Sequence, residues 1–229
     1  MLVPDLLAIL GGILPALLWL TFWLLEDRCQ PEPKRYIALS FALGGLSIIP
    51  VLFLEKFATL YFAAGSVSIL AIWAMCEELF KFSAAYLGGM RTAAFDEPLD
   101  AVIYMVTAAL GFSAMENALF LWTPIMHGDI VRTVVTGDLR FIGASLLHTL
   151  ASATIGLAIA LSWGKPAAAR RLYALLGVIL AIALHTLFNF FILGQGGDAT
   201  FGIFLTIWVG IIAALSVVER IKVPQQDYC

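Results

Sequence analysis

Long apolar runs separated by short polar stretches dominate this chain. Segments long enough to cross a bilayer, about 20 residues each, fall at 3–25, 36–54, 57–90, 101–122, 141–163, 172–193 and 200–218. Polar connections lie at 26–35, with Pro31 and Pro33, and at 91–100, 123–140, 164–171 and 194–199. The pattern predicts an all-α, polytopic transmembrane helix bundle of about seven spans, forming one integral membrane domain over 1–229. The block 57–90 is too long for one span. Gly65-Ser66 offers a break. Residues 57–64 are therefore expected to be interfacial or re-entrant, with the span proper over about 68–89, ended by Gly88-Gly89.

Composition sharpens this picture. Of 229 residues, 62% are hydrophobic and only 13% charged, against about a quarter charged in soluble domains. The mean hydropathy of +0.97 leaves no room for a separate soluble domain. A formal charge of −3 and the absence of any basic run argue against a nucleic-acid partner; the lipid bilayer is the expected one. Cys29, Cys76 and Cys229 show neither a pairing pattern nor metal-ligand spacing. Residues 3–25 lack a preceding basic stretch and are followed by Asp27 and Arg28, so they read as a retained span, not a signal peptide. Arg28, Lys34, Arg35, Arg91, Lys165, Arg170, Arg171, Arg220 and Lys222 fall on one side of the bundle, and Lys56, Arg132 and Arg140 on the other. By the positive-inside tendency the N-terminus is outside and the C-terminus cytoplasmic, in the cell membrane.

Against that background Glu77, Glu78 and Lys81 stand out, because three ionisable groups interrupt one apolar run. A charge at mid-bilayer costs about 2.5–3.5 kcal/mol or more, and such groups face a bundle interior and mark function. Glu77 and Lys81 share a helix face, with Glu78 about 100° away. Glu116, with Phe112 on its face and Asn117 offset, His148, and the i, i+4 pair His185 and Asn189 add polar groups in three later spans. Singly, these read as a structural ion pair, a hydrogen-bonded acid, a satisfied core histidine and interhelical glue. Together they fall at one depth: roughly seven to nine residues, or about 10–14 Å, below the outer boundary. Four spans thus form a core, over about 68–193, in which crowded carboxylates and imidazoles can divide into acid and base. No HExxH or GxSxG pattern points to another hydrolytic chemistry. His127 and Asp129 read as solvated, Arg132 and Arg140 as partners of headgroups or of a substrate's juxtamembrane segment. Trp19, Trp23, Trp122, Trp163 and Trp208 read as interface anchors, and Trp73 as packing.

The ordered set of Pro31-Glu32-Pro33, Glu77-Glu78-x-x-Lys81, Phe95-Asp96-Glu97-Pro98-Leu99-Asp100 with Tyr104, Gly111-Phe112 through Glu116-Asn117, His148 and His185-x-x-x-Asn189 resembles the PrsW-type glutamic intramembrane proteases. These are relatives of the CAAX prenyl endopeptidase superfamily. The resemblance implies hydrolysis of a peptide bond in a single-span membrane protein, such as an anti-sigma factor, near the extracytoplasmic side. It implies Glu77 as general base, with Glu116 standing where the wider superfamily has a histidine. The division of labour among Glu77, Glu116 and His148 is thereby left open. His185 and Asn189 would hold the oxyanion, with Glu78 and Lys81 in support.

No metal or other cofactor is expected, because the ligand candidates lie on separate helices. The alternative is a zinc-dependent form, with His148, His185 and one Glu as ligands and another Glu as base. A non-catalytic scaffold would be expected to lack the acidic motif residues, which are present here. A proton-coupled transporter would show inverted repeats, which are not seen. Substrate identity and oligomeric state are not written in the sequence.

Overall fold

The computed structural model describes residues 2–28, 30–194 and 200–221. Among these, nine helical segments follow in order: α1 Leu2–Glu26, α2 Lys34–Leu46, α3 Ile48–Ala58, α4 Val67–Ala85, α5 Pro98–Met126, α6 Ile130–Leu139, α7 Ser145–Leu161, α8 Ala167–Gly194 and α9 Thr200–Ile221. π-type turns continue two of them, at Tyr86–Met90 after α4 and Arg140–Ala144 between α6 and α7. No strand occurs among the described residues. Six helices are long and apolar enough to cross a membrane: α1, Lys34–Ala58, α5, Ile130–Leu161, α8 and α9. Helix α4, which carries Glu77, Glu78 and Lys81, is not among these six. The chain is a multi-pass membrane helix bundle.

Helix α5 is the central post. Every residue from Leu99 to Ala114 is buried, enclosed by α1, α2, α4 and α7. Small residues allow the close approach: a Cβ at Gly44 would lie 2.0 Å from Ala108 O, and one at Gly111 equally close to Phe41 O. Such contacts take the place of hydrophobic drive between helices in lipid. The start of α5 is fixed by a reciprocal cap, in which the Glu97 carboxylate accepts the Asp100 N–H and Asp100 Oδ2 accepts the Glu97 N–H at 2.8 Å, with Pro98 opening the helix. The outer helices keep their apolar side chains exposed, as on α1, α3, α8 and α9, which suits lipid.

The break at Gly65-Ser66 is present. Gly65 has φ +76°, Ser66 Oγ accepts the Ile69 N–H at 3.3 Å, and α4 runs from Val67. Helix α3 extends to Ala58 and residues 59–66 are turns, so residues 59–64 of the expected interfacial segment depart from helix. The stretch 123–140, read as a loop, is mostly helical. A tight turn over His127–Asp129 joins α5 to α6, and Asp129 caps α6 by accepting the Arg132 N–H at 2.9 Å. Trp23 is buried, and Trp19 packs against Phe22, Phe141 and Trp208. Trp122 and Trp163 are exposed. Cys76 is a free thiol. Cys29, Lys222, Cys229 and most of the expected 194–199 connection lie outside the described residues.

Candidate active site

The constellation builds outward from α4. Glu77, Glu78 and Lys81 lie on adjoining faces of two helical turns, and Lys81 is wholly buried. Its ammonium donates to Glu78 Oε1 at 2.8 Å, Glu77 Oε2 at 3.2 Å and His148 Nδ1 at 2.7 Å. It also stands 4.5 Å over the Phe112 ring. Three N–H bonds therefore meet three acceptors, and the cation's burial is compensated.

The two neighbouring glutamates have different surroundings. Glu78 is fully buried. Its Oε1 accepts from Lys81 and from His185 Nδ1 at 2.9 Å, and its Oε2 from Ser152 Oγ at 3.0 Å. Glu77 instead faces a cavity of about 580 Å³. Its Oε2 lies 3.7 Å from His148 Nδ1 and 3.8 Å from His185 Nε2. The rings of His148 and His185 stand 5.1 Å apart, nearly perpendicular.

Carboxylates orient both imidazoles from behind. Lys81 donates to His148 Nδ1, so that ring carries its proton on Nε2 and donates it to Glu116 Oε2 at 2.9 Å. His185 spends its Nδ1 proton on Glu78, which leaves the Nε2 lone pair toward Glu77. One donor atom each from Glu77, His148 and His185 lies within 4.8 Å of the others. Glu116, Asn189 and Phe112 also line the cavity. Asn117 is buried beside it, donating to Ser145 Oγ at 3.0 Å.

All six catalytic candidates and the supporting Lys81, Asn117 and Phe112 thus come together from α4, α5, α7 and α8, with Glu78, Lys81 and Asn117 behind the cavity wall. The sequence reading missed Arg140. Instead of meeting headgroups, it turns inward at the π turn, bonds Glu116 through its terminal nitrogen and donates from Nε to Asn117 Oδ1 at 2.6 Å. The Ser145 N–H reaches back five residues to Arg140 O there, and such one-residue insertions recur at functional sites. Arg140 also stacks over Phe120, 3.9 Å from the ring centre. Trp73, read as packing, lines the cavity and donates from Nε1 to Glu55 O at 3.3 Å; Glu55 lines it as well and was not anticipated. The available signal for Glu55 was an acid at the very end of an apolar run.

Comparison with known proteins identifies the family. The profile of the family described as "PrsW family intramembrane metalloprotease" matches residues 32–216. Protease PrsW of Geobacillus kaustophilus is 26% identical over 190 residues, 81% of this chain and 79% of that protein. Protease PrsW of Oceanobacillus iheyensis is 32% identical over 126 residues, 54% of this chain and 58% of that protein. Protease PrsW of Bacillus subtilis is 31% identical over 121 residues, covering 52% and 54%. No solved structure matches. With the family profile spanning most of its length and its acids and histidines gathered at one membrane-embedded cavity, the chain belongs to the PrsW family of intramembrane proteases.

Proposed function

We propose that this protease cuts a peptide bond of a single-span membrane protein at the extracytoplasmic side, using water held between Glu77, His148 and His185. The observation that carries the reading is the contrast between Glu78, whose two oxygens are occupied, and Glu77, which faces the cavity. A substrate helix must unwind locally there, because an intact helix keeps its carbonyls hydrogen-bonded. Glu77 then takes a proton from the water as it attacks the scissile carbon. Asn189, one turn beyond His185, offers an amide N–H to the developing oxyanion, and Glu116, held by Arg140 and His148, stands as the second carboxylate on the cavity wall. The proton taken by Glu77 passes to the leaving amine. An anti-sigma factor is the substrate type that the family resemblance suggests.

The side assignment rests on two features. The cavity lies nearer the membrane edge formed by the start of α4 and the ends of α5 and α8, while Arg28, Lys34, Arg35, Lys165, Arg170 and Arg171 lie on the opposite edge.

A second reading of the water's activation is favoured by the two imidazole nitrogens beside Glu77, of which His148 Nδ1 is occupied by Lys81. With His148 Nδ1 and His185 Nε2 both beside Glu77 Oε2, at 3.7 and 3.8 Å, the donors approach the roughly 3.3–3.4 Å edge of a tetrahedral zinc site. Glu116 and Glu78 bond the far nitrogens, the usual support for metal-binding histidines. The residues present therefore fit the metal that the family description implies. Zinc held there lowers the pKa of a bound water toward neutrality and polarises a carbonyl. In that form Glu77, His148 and His185 would hold the metal, Lys81 would have to leave His148 Nδ1, and Glu116 would serve as the base.

Cleavage of a co-reconstituted single-span protein by the purified chain tests the activity. Glu77→Gln is expected to slow it by about 10²–10⁴-fold, the usual weight of a general base. Wild-type rates in that variant would reject the role. Metal analysis with chelator treatment separates the two readings, because undiminished cleavage by metal-free protein excludes zinc.

A further inference from the structure

Residues that the cavity does not use meet at the other end of α5. Asp27 follows α1, Glu32 sits between Pro31 and Pro33, and Glu97 and Asp100 open α5, with Tyr104 one turn further along. All four acids are buried: Asp27 3% exposed, Glu32 8%, Glu97 9% and Asp100 0%. One oxygen each of Asp27, Glu97 and Asp100 lies within 4.8 Å of the others. From Asp100 to Glu116 is sixteen helical residues, or about 24 Å, so this cluster is remote from the cavity.

Its hydrogen bonds are incomplete. Asp100 Oδ2 accepts the N–H groups of Asp96 and Glu97, both at 2.8 Å, and Asp27 Oδ2 accepts the Glu32 N–H at 3.2 Å. The Tyr104 hydroxyl donates to Glu32. After these, Asp27 Oδ1 and Asp100 Oδ1 are sealed from solvent with no donor among the described residues other than a neighbouring carboxyl, Glu97 beside Asp27 and Glu32 beside Asp100. Among those residues, the ion pairs recorded at α4, α5, α7 and α8 all belong to the cavity, and none reaches this cluster. Buried polar atoms are ordinarily satisfied, so orphans point to a missing partner.

We propose that Asp27, Glu97 and Asp100 form a divalent-cation site that pins the turn after α1 to the start of α5. An all-oxygen donor set selects a hard ion, Mg²⁺ or Ca²⁺, over the softer metals that the histidine-bearing cavity suits. The orphaned Asp27 and Asp100 oxygens supply the unspent valence. Glu32, tied by its own N–H to Asp27 and by its carboxylate to Tyr104, braces the site. The Pro31-Glu32-Pro33 and Phe95 to Asp100 motifs, which peptide hydrolysis does not explain, thereby acquire a shared purpose.

The test is calorimetric titration of the full-length chain in nanodiscs, stripped with EDTA and dialysed, with Mg²⁺ or Ca²⁺ alone at pH 7.5, alongside thermal unfolding. Saturable one-to-one binding and a rising Tm are expected. Asp27→Asn and Glu97→Gln should each weaken binding at least tenfold, while Glu77→Gln binds like wild type. Either loop-end variant suffices should the other fail to fold. The proposal is overturned by no saturable binding of either ion, by undiminished binding in the loop-end variants, or by loss of binding in Glu77→Gln, which would move the ion to the cavity.

Discussion

Around the cavity, Glu77, Glu78 and Glu116 share the cations Lys81 and Arg140, whereas at the loop end of α5 Asp27, Glu32, Glu97 and Asp100 share backbone N–H groups and one tyrosine hydroxyl. Both places gather several acids against α5, which contributes Glu116 to the first and Asp100 to the second. The first carries its counter-charges on its own side chains, so its geometry is fixed in advance and the acids that face the cavity are oriented for chemistry. Among the described residues the second has backbone donors but no ion pair to a positive side chain, so its balance comes from protons or a bound ion. Burial of acids alone therefore does not identify a reaction centre. Imidazoles, internal cations and an adjoining cavity distinguish the first place from the second.

The sharpest way to break this contrast is to remove the internal cation. Lys81→Met strands Glu77 and Glu78 without their shared partner, and breaking a buried pair costs about 3–5 kcal/mol. Unfolding in detergent should show that loss, and adding Glu78→Gln should recover part of it. If Lys81→Met were as stable as wild type, Lys81 would not be the balancing charge. A smaller effect is expected at Arg140, which is partly exposed (14%) and holds Glu116 and Asn117 in place. Losing a hydrogen bond to a charged group costs about 1.5–3 kcal/mol. Arg140→Gln should therefore lower cleavage roughly ten- to hundredfold, falling on kcat more than on KM. An unchanged kcat would assign Arg140 to substrate capture.

The smallest effect belongs to the loop end. Burial first, and then the neighbouring Glu97 and Asp100 charges against the opposing Glu32 N–H bond, push the Asp27 carboxyl up to about 7. Burial likewise pushes Glu32 up to about 8, opposed by its Tyr104 bond and aided by Asp100. Because these values lie above those of the unfolded chain, the fold binds more protons than the coil. Its stability is then full below the ordinary carboxyl range and declines as pH rises through about 7 to 8. In chelator-stripped protein, Tm should fall between pH 6 and 8.5, and Asp27→Asn should flatten the slope. A flat wild-type profile would remove the contrast between the two ends.

The parts of this architecture that were legible in the sequence are those where polarity is expensive. Glu77, Glu78, Lys81, Glu116, His148 and His185 stood out because each interrupts an apolar run, and helical rise put them at one depth. The Gly65-Ser66 break was legible because the block around it was too long. Arg140 was not, because the stretch before it is polar enough to read as a loop; only the one-residue insertion at the π turn swings it inward. Nor could the sequence separate Glu77 from Glu78. The two are adjacent, and what distinguishes them is Ser152 and His185 arriving from other helices. The grouping of the loop-end acids was not legible, since Asp27 and Asp100 are far apart along the chain and meet only after packing.

The enclosure of α5 has a consequence for how the molecule is made. Synthesis delivers this post to the bilayer after α1 to α4 but before Arg140 and His148 exist, so Glu116 enters ahead of the groups that hold it. The first half of the chain must therefore shelter an unfinished centre until the later helices close over it. A nascent protein arrested after α5 would hold Glu77 and Glu78 already paired with Lys81 on their own helix, while Glu116 still waits for Arg140 and His148.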